Sequence, residues 1–113
     1  MKIEELLPKP DNKVHFKLSF YKNVPKISGC YILTTLENDI LYIGLSDNLH
    51  NRFQQHLDNP EKTQPTPVGK ATWFFYLEYD INNLPKLERT WLNQFEAISG
   101  ELPLLNKVNS PVK

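Results

Sequence analysis

The strongest pattern of apolar positions lies near the C-terminal end of the chain, in residues 82–95. Its apolar side chains recur with the spacing of one helix face and are Leu84, Leu87, Trp91, Leu92 and Phe95. Position 88 belongs to the same face but carries Glu88, a carboxylate where a leucine is expected. Asn82 or Asn83 can cap this helix and Gly100 suits its C-terminal end, so we predict a helix that ends at about residue 99.

A second helical pattern lies in residues 46–60. Apolar residues recur at every fourth position, at Leu49, Phe53 and Leu57. The candidate N-caps are Ser46, Asp47 and Asn48, and Pro60 marks the end of the predicted helix. Arg52 and His56 are also four residues apart, and helical geometry places both at the border of the apolar stripe.

Strands are predicted where apolar and polar residues alternate, or where β-branched and aromatic residues cluster. Residues 14–20 alternate strictly and predict a half-buried strand. Residues 29–35 and 40–44 flank a four-residue turn segment and predict a β-hairpin. The aromatic-rich residues 71–80 predict a strand that crosses the middle of the sheet.

The register of the hairpin decides whether two tyrosines can cooperate. The predicted pairs are Thr35 with Ile40, Leu33 with Tyr42 and Tyr31 with Gly44. Because side chains alternate between the faces of a strand, Tyr31 and Tyr42 then share one face as diagonal neighbours. A slip of one residue would separate them.

These elements occur in the order strand, hairpin, helix, strand, helix. The order predicts an α+β domain with a small, mainly antiparallel β-sheet flanked by helices. Residues 23–29 are interpreted as a connector, residues 61–70 as a loop because they contain two prolines and a glycine, and the tail from residue 101 as irregular. With 113 residues and 40% hydrophobic content, the chain has the size of one domain with one core.

Composition and charge narrow the range of partners. The net charge is zero, which argues against the basic coat typical of non-specific nucleic-acid binders. Residues 1–28 nevertheless hold six lysines against three acidic residues, so a basic arm precedes an acidic body. No run of about 18 apolar residues occurs and the first residues lack a signal-peptide core, so no membrane partner is expected. The lone Cys30 excludes an internal disulfide and favours a reducing, cytoplasmic setting.

The polar residues at buried positions each have a structural and a functional interpretation. Glu88 lies either on the exposed margin of a narrower stripe or in the first helix turns, where the helix dipole favours an acid. Arg52 and His56 suit a solvated helix surface, and Tyr31 and Tyr42 suit an ordinary sheet. Together in one cleft, a carboxylate that holds magnesium, an arginine that clamps phosphate and a tyrosine base are the groups needed for phosphodiester hydrolysis.

Five short motifs occur in a fixed order along residues 28–107. They are GCY at 29–31, YIG at 42–44, NLHNRFQQH at 48–56, LERTWL at 87–92 and LPLLN at 102–106. This ordered set resembles the GIY-YIG nuclease superfamily. The resemblance implies a GIY-YIG-like catalytic domain at residues 28–107, a basic N-terminal extension with one strand at residues 1–27 and a tail at residues 108–113.

The resemblance also implies a role for each matching residue. Tyr31 would activate the attacking water, and Tyr42 would support that water or the scissile phosphate. Arg52 would stabilise charge on the phosphate, and His56 occupies a position where the family often has histidine or tyrosine. Glu88 would be the single protein ligand of a divalent metal, Mg²⁺ or Mn²⁺.

Two further matches and one departure complete the resemblance to the family pattern. Asn106 would help to hold the site together, and Gly44 would allow substrate or the helix start to approach the strand end closely. Leu45 stands where many relatives carry a lysine or a polar residue, which removes one phosphate contact or proton acceptor.

The resulting hypothesis is a metal-dependent endonuclease that hydrolyses phosphodiester bonds in DNA by attack of an activated water. Leu45 and the low net charge keep an alternative open, which is a catalytically weak or inactive nucleic-acid-binding or protein-interaction module with the same fold. A third interpretation is a cleavage subunit that works only with a partner protein, docked through residues 59–70 or 1–26, or as a homodimer.

Overall fold

A computed structural model describes residues 1–108 of the chain, and its centre is an antiparallel sheet in the spatial order β1-β4-β2-β3. The strands are β1 (Asn12–His15), β2 (Gly29–Thr34), β3 (Ile40–Ser46) and β4 (Trp73–Glu78). The α-helices are α1 (Leu49–Leu57), α2 (Pro60–Thr63), α3 (Leu84–Ser99) and α4 (Leu104–Val108), and 3₁₀ helices span Ile3–Glu5, Leu18–Asn23 and Ile81–Asn83. The predicted α+β class, a small antiparallel sheet with flanking helices, is confirmed.

Each face of the sheet carries its own apolar core. Side chains alternate along β2, so Tyr31 and Leu33 pack on the side of α1, whereas Cys30 and Ile32 pack on the side of α3. Every residue of β2 is buried because helices cover this interior strand on both faces. Neighbouring residues of β2 therefore belong to opposite sides of the molecule.

The hairpin of β2 and β3 has the register that the two tyrosines require. Leu33 pairs with Tyr42 and Tyr31 pairs with Gly44, as predicted. The predicted pair of Thr35 with Ile40 is wrong, because an irregularity after Leu33 brings Thr34 opposite Ile40. The turn is closed by Asn38, whose left-handed backbone (φ 71°) is a conformation that asparagine tolerates better than most residues.

The N-terminal strand is shorter than the alternating pattern predicted. It covers Asn12–His15, and after Phe16 the chain turns into a 3₁₀ helix over part of the predicted strand, residues 14–20. The pairing with β4 ends at His15 opposite Trp73, and beyond it the Phe16 N–H still donates to the Thr72 carbonyl, just before β4. The aromatic strand β4 lies between β1 and β2, in the interior of the sheet as predicted.

Two segments interpreted as irregular contain short helices. The predicted loop at 61–70 is wrong at its start, because Asn59 caps α2 by accepting a hydrogen bond from the Glu61 N–H (2.9 Å). The predicted irregular tail is wrong at α4, which follows Pro103 directly and packs Leu105 into the core beside α1. From residue 109 onward, the predicted tail at 108–113 lies outside the described residues.

Both long helices form where the apolar spacing places them. Asn48 caps α1 by accepting a hydrogen bond from the Asn51 N–H (3.1 Å), and Gly100 ends α3 in a left-handed conformation with φ 80°. Asn83 occupies the N-cap position of α3, but its side chain makes no capping hydrogen bond. Within residues 1–108, no helix combines the length and the apolar character that a membrane crossing requires.

The N-terminal segment packs onto the rest of the domain. Ile3 and Leu6 are buried in the core on the α3 side of the sheet. The Ile3 N–H donates to the Asn38 carbonyl and the Ile40 N–H donates to the Met1 carbonyl, both at 3.0 Å. The predicted domain boundary between residues 27 and 28 stays a prediction.

Candidate active site

A buried tyrosine–histidine pair forms the centre of the candidate site. The hydroxyl of Tyr31 on β2 lies 2.5 Å from Nε2 of His56, which lies in the last turn of α1. The Tyr31 ring stacks on Phe74 of the adjacent strand β4, with ring centroids 5.1 Å apart and nearly parallel planes. Both side chains are therefore held by the sheet and by α1, and the hydrogen bond between them is shielded from solvent.

The protonation states of this pair follow from burial and from two nearby cations. Burial is the main reason that the pKa of Tyr31 lies well above 10, and Tyr42 raises it further, while the positive charge of Arg52 acts in the opposite direction. Burial, Lys62 and Arg52, in that order, lower the pKa of His56 to about 3. His56 is therefore a neutral imidazole at neutral pH. Its Nε2 accepts a hydrogen bond from the Tyr31 hydroxyl in the tautomer that carries the ring proton on Nδ1.

The lowered pKa of His56 predicts a pH-dependent stability. An unfolded chain regains the ordinary histidine pKa near 6.5, so between pH 6.5 and pH 3 the unfolded state binds more protons than the folded state. The free energy of unfolding should fall with decreasing pH in this window, by up to about 1.4 kcal/mol per pH unit. Urea denaturation at pH 7, 6 and 5 measures the slope, which His56→Gln should flatten, with His50→Gln on the same helix as the matched control. A His56→Gln variant that stays as pH-sensitive as wild type would contradict the assignment.

Tyr42 joins the pair from the neighbouring strand β3. Its ring centroid lies 5.9 Å from that of Tyr31 and 5.4 Å from that of His56, so the predicted placement of the two tyrosines on one face is confirmed. Tyr42 is partly exposed, whereas Tyr31 is fully buried. Of the two phenols, Tyr42 is therefore the one that solvent reaches.

Lys62 on α2 is a member of the cluster that sequence reasoning missed. It is buried, and its Nζ lies 4.6 Å from the centroid of the Tyr42 ring. The sequence contained one usable signal, because Asn59 followed by Pro60 is a typical start of a helix. This helix start predicts that Lys62 lies in a helix. The pattern of apolar and polar residues does not predict that its side chain points into the core.

Arg52 extends the cluster toward the end of the β2–β3 hairpin. Its Nη1 donates to the backbone carbonyl of Leu45 at 3.4 Å, and the side chain is half-buried. Its charge acts on Tyr31, His56 and Lys62. The structure thus brings four of the predicted site residues together, namely Tyr31, Tyr42, Arg52 and His56.

Gly44 on β3 lies directly against the rings of Tyr31 and Tyr42. A Cβ at this position would lie 2.6 Å from Oη of Tyr31 and 2.8 Å from Cε2 of Tyr42. The Tyr31 ring cannot move aside cheaply, because it is stacked and hydrogen-bonded in the core. Position 44 therefore requires glycine, because any side chain there would clash with the two tyrosine rings.

We predict that Gly44→Ala destabilises the fold by about 1–3 kcal/mol through overpacking and also disturbs the Tyr31–His56 hydrogen bond. Gly100→Ala is the matched control, since it strains the helix end at φ 80° but meets no atom within 4 Å. Denaturation curves and the rate of DNA cleavage should separate the two variants, with a loss of activity only in Gly44→Ala. Equal activity in both variants would show that the fit around Gly44 is not needed for the site.

Asn106 holds the outer edge of the sheet from α4. Its side-chain oxygen accepts from the Ile43 N–H and its amide donates to the Ile43 carbonyl, both at 2.9 Å. β3 is an edge strand, so these bonds satisfy backbone groups that no further strand covers. Asn106 thus fixes the strand segment between Tyr42 and Gly44, and its predicted role of holding the site together stays a prediction.

Glu88 approaches from the other face of the sheet. It is half-buried on α3, and its turn of the helix lies over Cys30, whose Sγ contacts the Leu84 carbonyl at 3.6 Å. Burial raises the pKa of Glu88, and Arg89 opposes the shift. Burial also raises the pKa of Cys30, to about 12, and the charge of Glu88 contributes to that rise.

Glu88 and Arg52 both lie near the same cross-strand pair at the end of the β2–β3 hairpin. Cys30 pairs with Leu45 across the hairpin, and Leu45 is the residue whose carbonyl accepts from Arg52. Among residues 1–108, no ion pair joins Glu88 to Arg52. Glu88 and the tyrosine cluster therefore flank the hairpin from opposite faces without direct contact between the two charged groups.

Glu88 fits a metal that takes few ligands from the protein. In the described part of the chain, no group of three or more His, Cys, Asp or Glu side chains is arranged to hold an ion. Mg²⁺ is commonly bound through one or two carboxylates, with water and substrate phosphates as the other ligands. A half-buried carboxylate whose pKa is raised by desolvation is a group that a bound cation would stabilise.

The fold and the cluster together define a class of protein. One α+β domain combines a hairpin that presents two tyrosines, a helix that adds arginine and histidine, and a later helix with one acid. Residues 27–101 match the family model described as the GIY-YIG catalytic domain. The chain belongs to this family, the GIY-YIG nuclease superfamily.

Similar proteins carry the same domain within much longer chains. UvrABC system protein C of Prochlorococcus marinus subsp. pastoris (strain CCMP1986) is 38% identical over 110 residues, which are 97% of this chain and 15% of that protein. The protein of the same name from Prochlorococcus marinus (strain MIT 9312) is 31% identical over an alignment of 117 positions, which covers 93% of this chain and 16% of that protein. The chain thus spans about one sixth of the length of these relatives.

Proposed function

We propose that this chain is a metal-dependent endonuclease that hydrolyses phosphodiester bonds in DNA by attack of an activated water. The observation that carries the proposal is the Tyr31–His56 hydrogen bond, with Tyr42 and Arg52 beside it, in a domain of the GIY-YIG family. A neutral imidazole, a phenol and a cation in one cluster are suited to moving a proton next to a phosphate.

The Tyr31–His56 pair supplies a route for the proton of the attacking water. As water attacks phosphorus, Tyr31 Oη takes its proton while the Tyr31 proton passes to Nε2 of His56. This route needs a neutral His56 that can be protonated. The negative phosphate would offset Arg52 and Lys62, the two cations that, together with burial, lower its pKa to about 3 in the free protein. Because Tyr31 is closed off from solvent and the space beside Gly44 is filled by the two phenol rings, the attacking water is proposed to arrive from the side of the partly exposed Tyr42.

Arg52 and Glu88 complete the proposed site at the end of the hairpin. The Arg52 guanidinium stabilises negative charge on the phosphate oxygens. Glu88 would hold Mg²⁺ or Mn²⁺, and the bound ion would supply a Lewis acid for the phosphate. The substrate phosphate is thereby proposed to lie between Arg52 and Glu88, at the edge strand β3.

Cleavage assays test this function directly. Purified protein is incubated with supercoiled plasmid, branched DNA and single-stranded oligonucleotides, each with Mg²⁺, with Mn²⁺ and with EDTA. We expect nicking or cleavage of at least one substrate with metal and none with EDTA. Intact DNA under every condition would overturn the proposed activity of this chain by itself.

A second candidate function is a DNA-binding or protein-interaction module with little or no catalysis. It is favoured by the separation of Glu88 from the tyrosine cluster, with no ion pair between Glu88 and Arg52 among the described residues. Retained DNA binding by Glu88→Ala, together with no cleavage by wild type, would support it. A cleavage subunit that needs a partner protein or a second copy would instead become active when cell extract is added, and a cytoplasmic setting is proposed for each case.

A further inference from the structure

Lys62 is the most unusual charged residue in the described part of the domain. Its side chain is only 1% exposed although it lies in a short helix at the molecular surface. A lysine is rarely buried so completely unless an acid pairs with it. Within residues 1–108, no carboxylate oxygen lies within 4 Å of its Nζ.

The surroundings of Lys62 are basic and aromatic. Its Nζ lies over the face of the Tyr42 ring, and its positive charge lowers the pKa of the neighbouring His56. Burial lowers the pKa of Lys62, Arg52 lowers it further, and Glu61 acts against both. Lys62 acts on Tyr42 and Arg52 acts on Tyr31, and no acid among residues 1–108 forms an ion pair with Lys62. Such an environment is one that an anion would stabilise.

The position of Lys62 is built into the local structure. Its backbone N–H donates to the Asn59 carbonyl at 2.9 Å, and the Asn59 side chain caps the same turn. Leu45, the residue that follows the Tyr-Ile-Gly motif, is apolar and offers no cation at the strand end. Lys62 therefore adds, from another element, a positive charge beside the partly exposed Tyr42.

We propose that Lys62 is a DNA-binding residue that holds a backbone phosphate beside Tyr42, together with Arg52. The inference rests on the proposed function, because it assumes that the substrate is a DNA strand that passes this cluster. In the free protein the lysine lies on the Tyr42 ring, and the arriving phosphate takes the place of that ring contact. The proposed phosphate contact therefore comes from a side chain on α2 and not from the β2–β3 hairpin.

A structural role and a binding role for Lys62 predict opposite effects of its removal on the stability of the fold. If the ring contact with Tyr42 mainly supports the fold, removal of the charge should destabilise the protein. If the buried charge is kept for binding, Lys62→Met should raise the midpoint of thermal unfolding. The substitution retains the packing volume and removes a buried cation that forms no ion pair with an acid among residues 1–108. The same substitution should weaken DNA binding.

The test measures binding separately from cleavage. Fluorescence anisotropy of a labelled single-stranded oligonucleotide, in EDTA and at several salt concentrations, compares wild type, Lys62→Met, Lys62→Arg and Lys70→Met. Lys70 is an exposed lysine of the following loop and serves as the matched control. We expect Lys62→Met to bind about ten- to hundredfold more weakly, Lys62→Arg to recover most of the affinity and Lys70→Met to resemble wild type.

The salt dependence is the readout that a purely structural role would not change. Loss of one phosphate contact should reduce the slope of log affinity against log salt by about 0.7 for a single strand. Lys62→Met with wild-type affinity and slope would overturn the proposal.

Cleavage assays on the same variants separate this proposal from the proposed catalysis. If wild type binds DNA through Lys62 but never cleaves it, the proposed catalysis fails and the role of Lys62 stands. If wild type cleaves DNA and Lys62→Met changes neither cleavage nor affinity, the role of Lys62 fails and the proposed catalysis stands.

Discussion

Glu88→Gln should abolish metal-dependent cleavage and leave the fold intact. A bound metal contributes several kcal/mol of transition-state stabilisation, so loss of its proposed protein ligand should slow cleavage at least about a thousandfold. Because burial raises the pKa of Glu88, the charged carboxylate is less favourable in the folded state than in the unfolded state. The uncharged glutamine variant should therefore unfold at the same temperature as wild type or a higher one.

The control for this prediction lies on the same helix. Glu96→Gln changes an exposed acid of α3 and should keep wild-type cleavage. Single-turnover cleavage with Mg²⁺ gives the rates, and electron paramagnetic resonance of Mn²⁺ gives the amount of bound ion. A Glu88→Gln variant that binds Mn²⁺ and cleaves like wild type would remove Glu88 from the site.

Tyr31→Phe should have the second largest effect. It removes the hydroxyl that is proposed to transfer the water proton to His56, and a positioned acid–base group typically contributes about 10²–10⁴-fold to the rate. The variant also leaves Nε2 of His56 buried without the Tyr31 hydroxyl, which should destabilise the fold by about 1–3 kcal/mol. DNA affinity measured in EDTA should change little, because the buried phenol is not proposed to contact the phosphate.

Tyr76→Phe is the matched control for Tyr31→Phe. Tyr76 is a buried phenol on β4, directly paired with Tyr31 and packed in the same core. It does not take part in the proposed proton transfer, so its removal should leave the cleavage rate within a fewfold of wild type. Equal rate losses in both variants would attribute the effect of Tyr31→Phe to packing alone.

The pattern of the chain predicted the parts of the fold that depend on local spacing. The leucine and aromatic positions of α1 and α3 predicted both helices, and the alternation in the hairpin predicted the pairs Tyr31–Gly44 and Leu33–Tyr42. The length of β1 could not be predicted, because alternation continues past Phe16 whereas the partner strand does not. Strand length is set by tertiary pairing, which a single segment does not encode.

The candidate site shows the same limit. The family motifs predicted a set of site residues, and α1 and the hairpin bring four of them together, namely Tyr31, Tyr42, Arg52 and His56. The sequence did not reveal that Glu88 lies on the opposite face of the sheet, because that depends on how α3 crosses the hairpin. Nor did it reveal Lys62, because only three-dimensional packing turns this lysine inward.

The most direct test of the proposed active site is a crystal structure of the protein with Mn²⁺ and a short oligonucleotide. Anomalous scattering should place Mn²⁺ at direct-ligand distance, about 2 Å, from a carboxylate oxygen of Glu88. A phosphate should bridge from the ion toward Arg52, on the side of Tyr42. Mn²⁺ bound away from Glu88, with the oligonucleotide phosphate far from the tyrosine cluster, would contradict the assignment of this site as a nuclease centre.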